Sequence, residues 1–91
     1  MDLNDDQAKR DLMRIPGIGK ACAADLLQLG YRSVASLNGE DPEQMYVRLC
    51  DMQGQVVDRC MLYVFRCAVY FASHARHEPD KLKWWNWKDS N

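Results

Sequence analysis

Ile15-Pro16-Gly17-Ile18-Gly19-Lys20 constrains this chain more than any other stretch of it. A proline and two glycines beside apolar residues at helical spacing mark one helix ending and another starting almost at once. Gly17 can take a left-handed conformation to end the first helix, and Gly19 opens the second with its amide bare. Amides at a helix start face outward at the positive end of the helix dipole, which suits a phosphate. Lys20 adds a full charge at the same place. The bland reading of the same residues is a corner between two helices with no ligand at all.

The remaining punctuation divides the chain into helices. Asn4 or Asp5 caps a first helix reaching Arg14, with Leu12 facing inward. A second helix runs from Gly19 to Gln28, and Leu29-Gly30 closes it. Ser33 caps a short connector, Val34 to Leu37, and Asn38-Gly39 is a turn. Asp41-Pro42 supplies a cap and a first-position proline, with Gln44 placed to complete a capping box. That helix, Pro42 to Gln53, sets Met45, Leu49 and Met52 on one face, and Gly54 stops it. A long helix follows from Val56 to Ala75, and no segment alternates in the manner of a strand. The expected fold is all-α.

A faint repeat runs through this pattern. A shift of 37 residues lays Leu12 on Leu49, Ile15 on Met52, Gly17 on Gly54, Ala23 on Cys60 and Leu26 on Tyr63. The second copy has lost its polar chemistry, with Val56 and Val57 standing where Gly19 and Lys20 stand in the first. The expectation is a single domain over residues 1–91. It comprises a first hairpin (5–28), a connector (33–37), a degenerate second hairpin (42–75) and a Trp-rich tail (79–91).

On the long helix, 100° per residue puts Val57, Met61, Val64, Ala68, Phe71 and Ala75 on one apolar stripe, the expected core face. Leu62, Phe65, Val69 and Ala72 flank it on one side, Cys60 and Cys67 on the other. Opposite lie Arg59, Tyr63, Arg66 and Tyr70. Arginine and tyrosine at that spacing suit a partner protein or a nucleic acid. They equally suit an amphipathic helix whose polar tips reach solvent. The tail carries Trp84, Trp85 and Trp87 among Lys81, Lys83 and Lys88. Indoles are costly to expose, so this segment folds back on the helices or binds something.

Composition narrows the classes. The chain is 47% hydrophobic and carries a formal charge of −1, so nucleic-acid binding has to come from local charge. Lys9, Arg10, Arg14, Lys20 and Arg32 supply it in the first part, while Asn38 to Asp58 is acidic. Cys22, Cys50, Cys60 and Cys67 lack C-x-x-C spacing and sit in apolar helical runs, which favours free thiols and a cytoplasmic protein. The long apolar run is too short to span a bilayer, so no membrane partner is expected. Cys60, Cys67 and His74 lie two turns apart, too far to share an ion; no metal and no catalytic constellation are expected.

The spacing apolar-x-Gly-apolar-Gly-x-x-x-Ala-x-x-Leu, filled here by Ile15 to Leu26, resembles the helix-hairpin-helix motif of DNA repair, recombination and competence proteins. Over most of its length the chain resembles the small bacterial "pathogenicity locus" family. Leu12 to Lys20, Leu29-Gly30-Tyr31-Arg32-Ser33-Val34, Cys60 to Tyr70 and Lys83-Trp84-Trp85-Asn86-Trp87 carry that likeness. The hairpin is also similar to that of the C-terminal domain of the competence regulator TfoX. With the repeat, the expected fold is an all-α, five-helix, paired helix-hairpin-helix (SAM-like) domain, and the cost of exposing indoles favours a tail packed back on it. The resemblances imply sequence-independent DNA binding by Gly17, Ile18, Gly19 and Lys20, with Arg14 and Arg32 nearby and a monovalent cation on the hairpin carbonyls. The alternative is a protein-interaction module, using Arg59, Tyr63, Arg66, Tyr70 and the tryptophans, with the hairpin purely structural. Dimerisation through the apolar long helix and the tryptophans is a further expectation.

Overall fold

The computed structural model describes residues 4–89. It is all-helical: α1 (Asp5–Leu12), α2 (Lys20–Gln28), α3 (Pro42–Gln53) and α4 (Cys60–Ser73), with three-residue-per-turn segments at Ala35–Leu37, Pro79–Leu82 and Trp84–Trp87. The expected connector helix is thus a single tight turn. Residues 1–3 and 90–91 of the expected domain lie outside the described residues.

Each helix starts where a side chain can take up its open amides. Asn4 caps α1 in a reciprocal box: its Oδ1 accepts the Gln7 amide at 2.8 Å, and the Gln7 side chain accepts the Asn4 amide. Asp41 accepts the Glu43 amide at 2.9 Å ahead of Pro42. α1 stops at Leu12, short of the expected Arg14, because Pro16 disfavours helical backbone at Ile15. The chain tightens there, with Arg14 and Ile15 donating to Asp11 and Leu12. α4 begins at Cys60 rather than Val56, where the Asp58 carboxylate takes the Cys60 amide at 2.8 Å. It ends at Ser73, and His74 is already extended, so Ala75 lies beyond the helix and exposed.

The core gathers Leu12, Ile15 and Ile18 from α1 and its turn, Ala23 and Leu26 from α2, and Leu37 from the connector. Leu29, Tyr31 and Val34 between α2 and the connector, Met45 and Leu49 from α3, and Val64, Phe65 and Ala68 from α4 complete it. Ala23 is fully buried, and its small side chain lets the backbones approach. Polar ties fasten the elements around this core. Asp11 accepts the Val34 amide at 2.7 Å, and Arg48 reaches the Leu29 carbonyl at 2.6 Å. Tyr46 donates to the Val57 carbonyl.

Two expectations change. The buried stripe of α4 is Leu62, Val64, Phe65, Cys67 and Ala68, whereas Met61 and Phe71 are only partly buried. One-face periodicity misplaced it because α4 is covered on two sides, by the core and by the tail. The tail packs back on α4, as expected, and Cys67 lies beneath it with Sγ 3.5 Å from the Lys81 carbonyl. The repeat also fails in detail. Gly54 is a left-handed cap immediately after α3, whereas Gly17 lies several residues beyond α1. Met52 and Val56 are 54% and 88% exposed where their counterparts Ile15 and Gly19 flank a buried corner. Leu49 keeps the inward role of Leu12; the second corner does not copy the first.

Among the described residues no helix is long and apolar enough to cross a membrane. The four cysteines are free. Burial, with Asp25 nearby, pushes the Cys22 thiol up to about 11, and burial alone does the same to Cys67. Both are inert packing groups at neutral pH.

Candidate nucleic-acid interface

The turn between α1 and α2 is built on two buried isoleucines. Ile15 and Ile18 sit in the core, and the Ile18 amide donates to the Ile15 carbonyl at 3.1 Å. That bond spends the Ile18 amide, and the open donors of the helix end begin at Gly19. Gly19 is the N-cap of α2 and has no side chain to close the helix end. The first intrahelical bond runs from Ala23 back to Gly19 at 2.9 Å. The amides of Gly19, Lys20, Ala21 and Cys22 therefore precede the ladder, with Gly19, Lys20 and Ala21 exposed.

Lys20 stands over this end and faces α1. Asp6, Lys9, Arg10 and Met13 recur at helical spacing along one side of α1, and with Lys20 they line an open pocket of about 420 Å³. None of Lys9, Arg10 and Lys20 is in an ion pair among the described residues. Three cations against one carboxylate leave the pocket positive. In the sequence Lys9 and Arg10 are part of a basic stretch but not of the candidate site. Projecting α1 on its own wheel, with Met13 as the fourth member of the face, is the signal that picks them out.

The other expected cations are engaged with α1. Arg14 pairs with Asp11 at 2.7 Å and Arg32 with Asp5 at 3.0 Å. Asp11 is held below the usual carboxylate range by the Val34 amide first and then by Arg14, against some desolvation. Arg14 thus neutralises a carboxylate close to the turn, and Arg32 one at the far, N-terminal end of α1.

The Arg/Tyr face of α4 meets the chain's own tail. Asp89 receives Arg59 at 2.6 Å and Arg66 at 2.9 Å, with the Tyr63 hydroxyl at 3.4 Å. Arg66 also pairs with Glu43 at 2.9 Å and donates to the Trp87 carbonyl at 2.8 Å. Tyr70 lies 5.5 Å from the Trp87 ring and accepts the Glu78 amide at 2.8 Å. Asp89 is held low by Arg59 and then Arg66. Trp84 packs against the core, and its Cδ1 lies 2.9 Å from where a Cβ on Gly17 would sit. The tail thus bridges the long helix to the α1–α2 turn. His77 is stacked on Phe71 at 4.5 Å, and among the described residues no group of His, Cys, Asp and Glu could hold a metal ion.

A model of the Pathogenicity locus family matches residues 5–91, which is nearly the whole chain. The chain belongs to that family. Among curated proteins, the Pathogenicity locus chain is similar to the mitomycin resistance protein McrB of Streptomyces lavendulae. The two are 29% identical over 77 residues, covering 85% of this chain and 70% of the relative. No solved structure matches it significantly.

Proposed function

We propose that this Pathogenicity locus protein binds DNA without reading sequence, its α1–α2 turn acting as a helix-hairpin-helix motif that grips a backbone phosphate. One observation carries the reading. The first turn of α2 is uncapped and exposed, and Lys20, Lys9 and Arg10 surround the pocket beside it without counter-ions other than Asp6. The amides would hold phosphate oxygens by direct hydrogen bonds, and the three cations would supply the longer-range attraction. Contacts of this kind position DNA and carry no base information. The likeness of the turn to that of TfoX rests on its residues alone and agrees with this reading. Related hairpins imply a monovalent cation on the turn's carbonyls. Here the Ile15 carbonyl already accepts the Ile18 amide, and no step of the proposal runs through a cation.

The protein-interaction alternative uses the Arg/Tyr face of α4 together with the Trp-rich tail. Asp89 and Trp87 engage Arg59, Arg66 and Tyr70, which reduces what that face offers a partner, although Arg59 stays 55% exposed. The motive for dimerisation weakens for the same reason, since α4 and two of the three tryptophans are already packed within the chain.

The test is binding of a labelled duplex at low salt, read by fluorescence anisotropy. Lys20→Glu and Lys9→Glu each weaken binding at least tenfold, whereas Arg14→Ala, which removes an arginine already held by Asp11, changes it less than threefold. Equal losses from all three variants would place the grip elsewhere.

A further inference from the structure

The phosphate grip leaves Trp85 without a task. In the Trp84–Trp87 turn, side chains three apart eclipse, so Trp84 and Trp87 share a face and Trp85 falls off it. Trp84 and Trp87 are half-buried, while Trp85 is 53% exposed. The tail is fastened without Trp85, through Trp84 on the turn, Trp87 against Tyr70 and Asp89 on two arginines. Its ring contact is limited to an edge of Trp84, and more than half of its surface faces water.

Its position is specific. The Trp85 ring meets Trp84 edge-on, at 5.8 Å and 87°, and Trp84 itself is seated on Gly17 of the α1–α2 turn. One indole therefore separates the exposed ring from the turn that leads into the uncapped end of α2. Lys88, exposed, flanks it in sequence, as does Lys83, exposed and paired with Asp80 at 3.7 Å.

We infer that Trp85 is a stacking platform for an unpaired base of the strand whose phosphate the α2 end holds. The DNA that suits this chain then joins duplex to single strand, as an overhang, gap or bulge does. This rests on the phosphate-binding reading above. Bases inside a duplex cover one another's faces, whereas an unpaired base offers its face to an indole. Such stacking tolerates any base, in keeping with a grip that reads no sequence. Trp84, which the Trp85 ring meets, is seated on Gly17, two residues before the N-cap of α2.

The experiment compares a blunt duplex with the same duplex carrying a short single-stranded overhang, by anisotropy, for wild type, Trp85→Ala, Trp85→Phe and Lys20→Glu. Wild type binds the overhang about tenfold tighter. Trp85→Ala binds both DNAs as wild type binds the blunt one, Trp85→Phe keeps most of the preference, and Lys20→Glu weakens both. Thermal unfolding of Trp85→Ala close to wild type confirms that only an exposed ring was lost. An absent preference in wild type, or one that survives Trp85→Ala, overturns the stacking role while Lys20-dependent duplex binding still stands. Failure of wild type to bind either DNA overturns both.

Discussion

At the scale of single residues, the two glycines of the turn carry opposite loads. Gly17 has φ +87°, and a Cβ there would lie 2.9 Å from Trp84 Cδ1. Gly17→Ala therefore costs roughly 1–2 kcal/mol in backbone strain, plus the displacement of an indole, and thermal unfolding will show a lowered Tm. Gly19 has φ −96°, and a Cβ there meets nothing within 4 Å, so a side chain fits. Gly19→Ser supplies the missing cap and stabilises α2 by a few tenths of a kcal/mol, yet its hydroxyl takes amides that a phosphate would use. Stability rises while DNA affinity falls, measured by unfolding and anisotropy on one variant. A rise in both would mean that the amides have no ligand role. The sequence made the turn legible because proline and glycine act locally. The contact between Gly17 and Trp84 was not legible, since nothing in residues so far apart announces that they meet.

At the scale of elements, the tail is held by charge as much as by aromatic area. Asp89 collects Arg59 and Arg66, and Arg66, only 19% exposed, also holds Glu43 and the Trp87 carbonyl. Because those arginines depress the Asp89 carboxyl, its contribution is complete above the unfolded carboxylate value of about 3.9 and is lost as pH falls through the lower folded value. Tryptophan emission should thus stay constant from neutral pH down to about 3.9 and move red below it. Asp89→Asn should be red-shifted already at neutral pH, and a shift of the wild type well above pH 5 would contradict the latch. Helical periodicity separated the Arg/Tyr side of α4 from its apolar side, but it cannot say what covers a face. The partner here comes from more than twenty residues downstream in the same chain, which is also why the buried stripe of α4 was misplaced.

At the scale of the whole molecule, a chain of formal charge −1 has no global field to gather DNA, so affinity has to come from a few phosphates at one place. The all-helical class and the single core followed from apolar spacing and caps, whereas the internal repeat holds at Leu12 and Leu49 and differs at the turns, since helical patterns align readily at many offsets. Lys9, Arg10 and Lys20, none in an ion pair among the described residues, line one pocket together. The most direct test is a salt titration of duplex binding by wild-type protein and Lys20→Glu. A one-turn grip engages about two to four phosphates, so log K should fall with log salt at a slope of about −2 to −4, shallower in Lys20→Glu. No binding at the lowest salt, or a slope that Lys20→Glu leaves unchanged, would contradict the account and make the turn a structural corner.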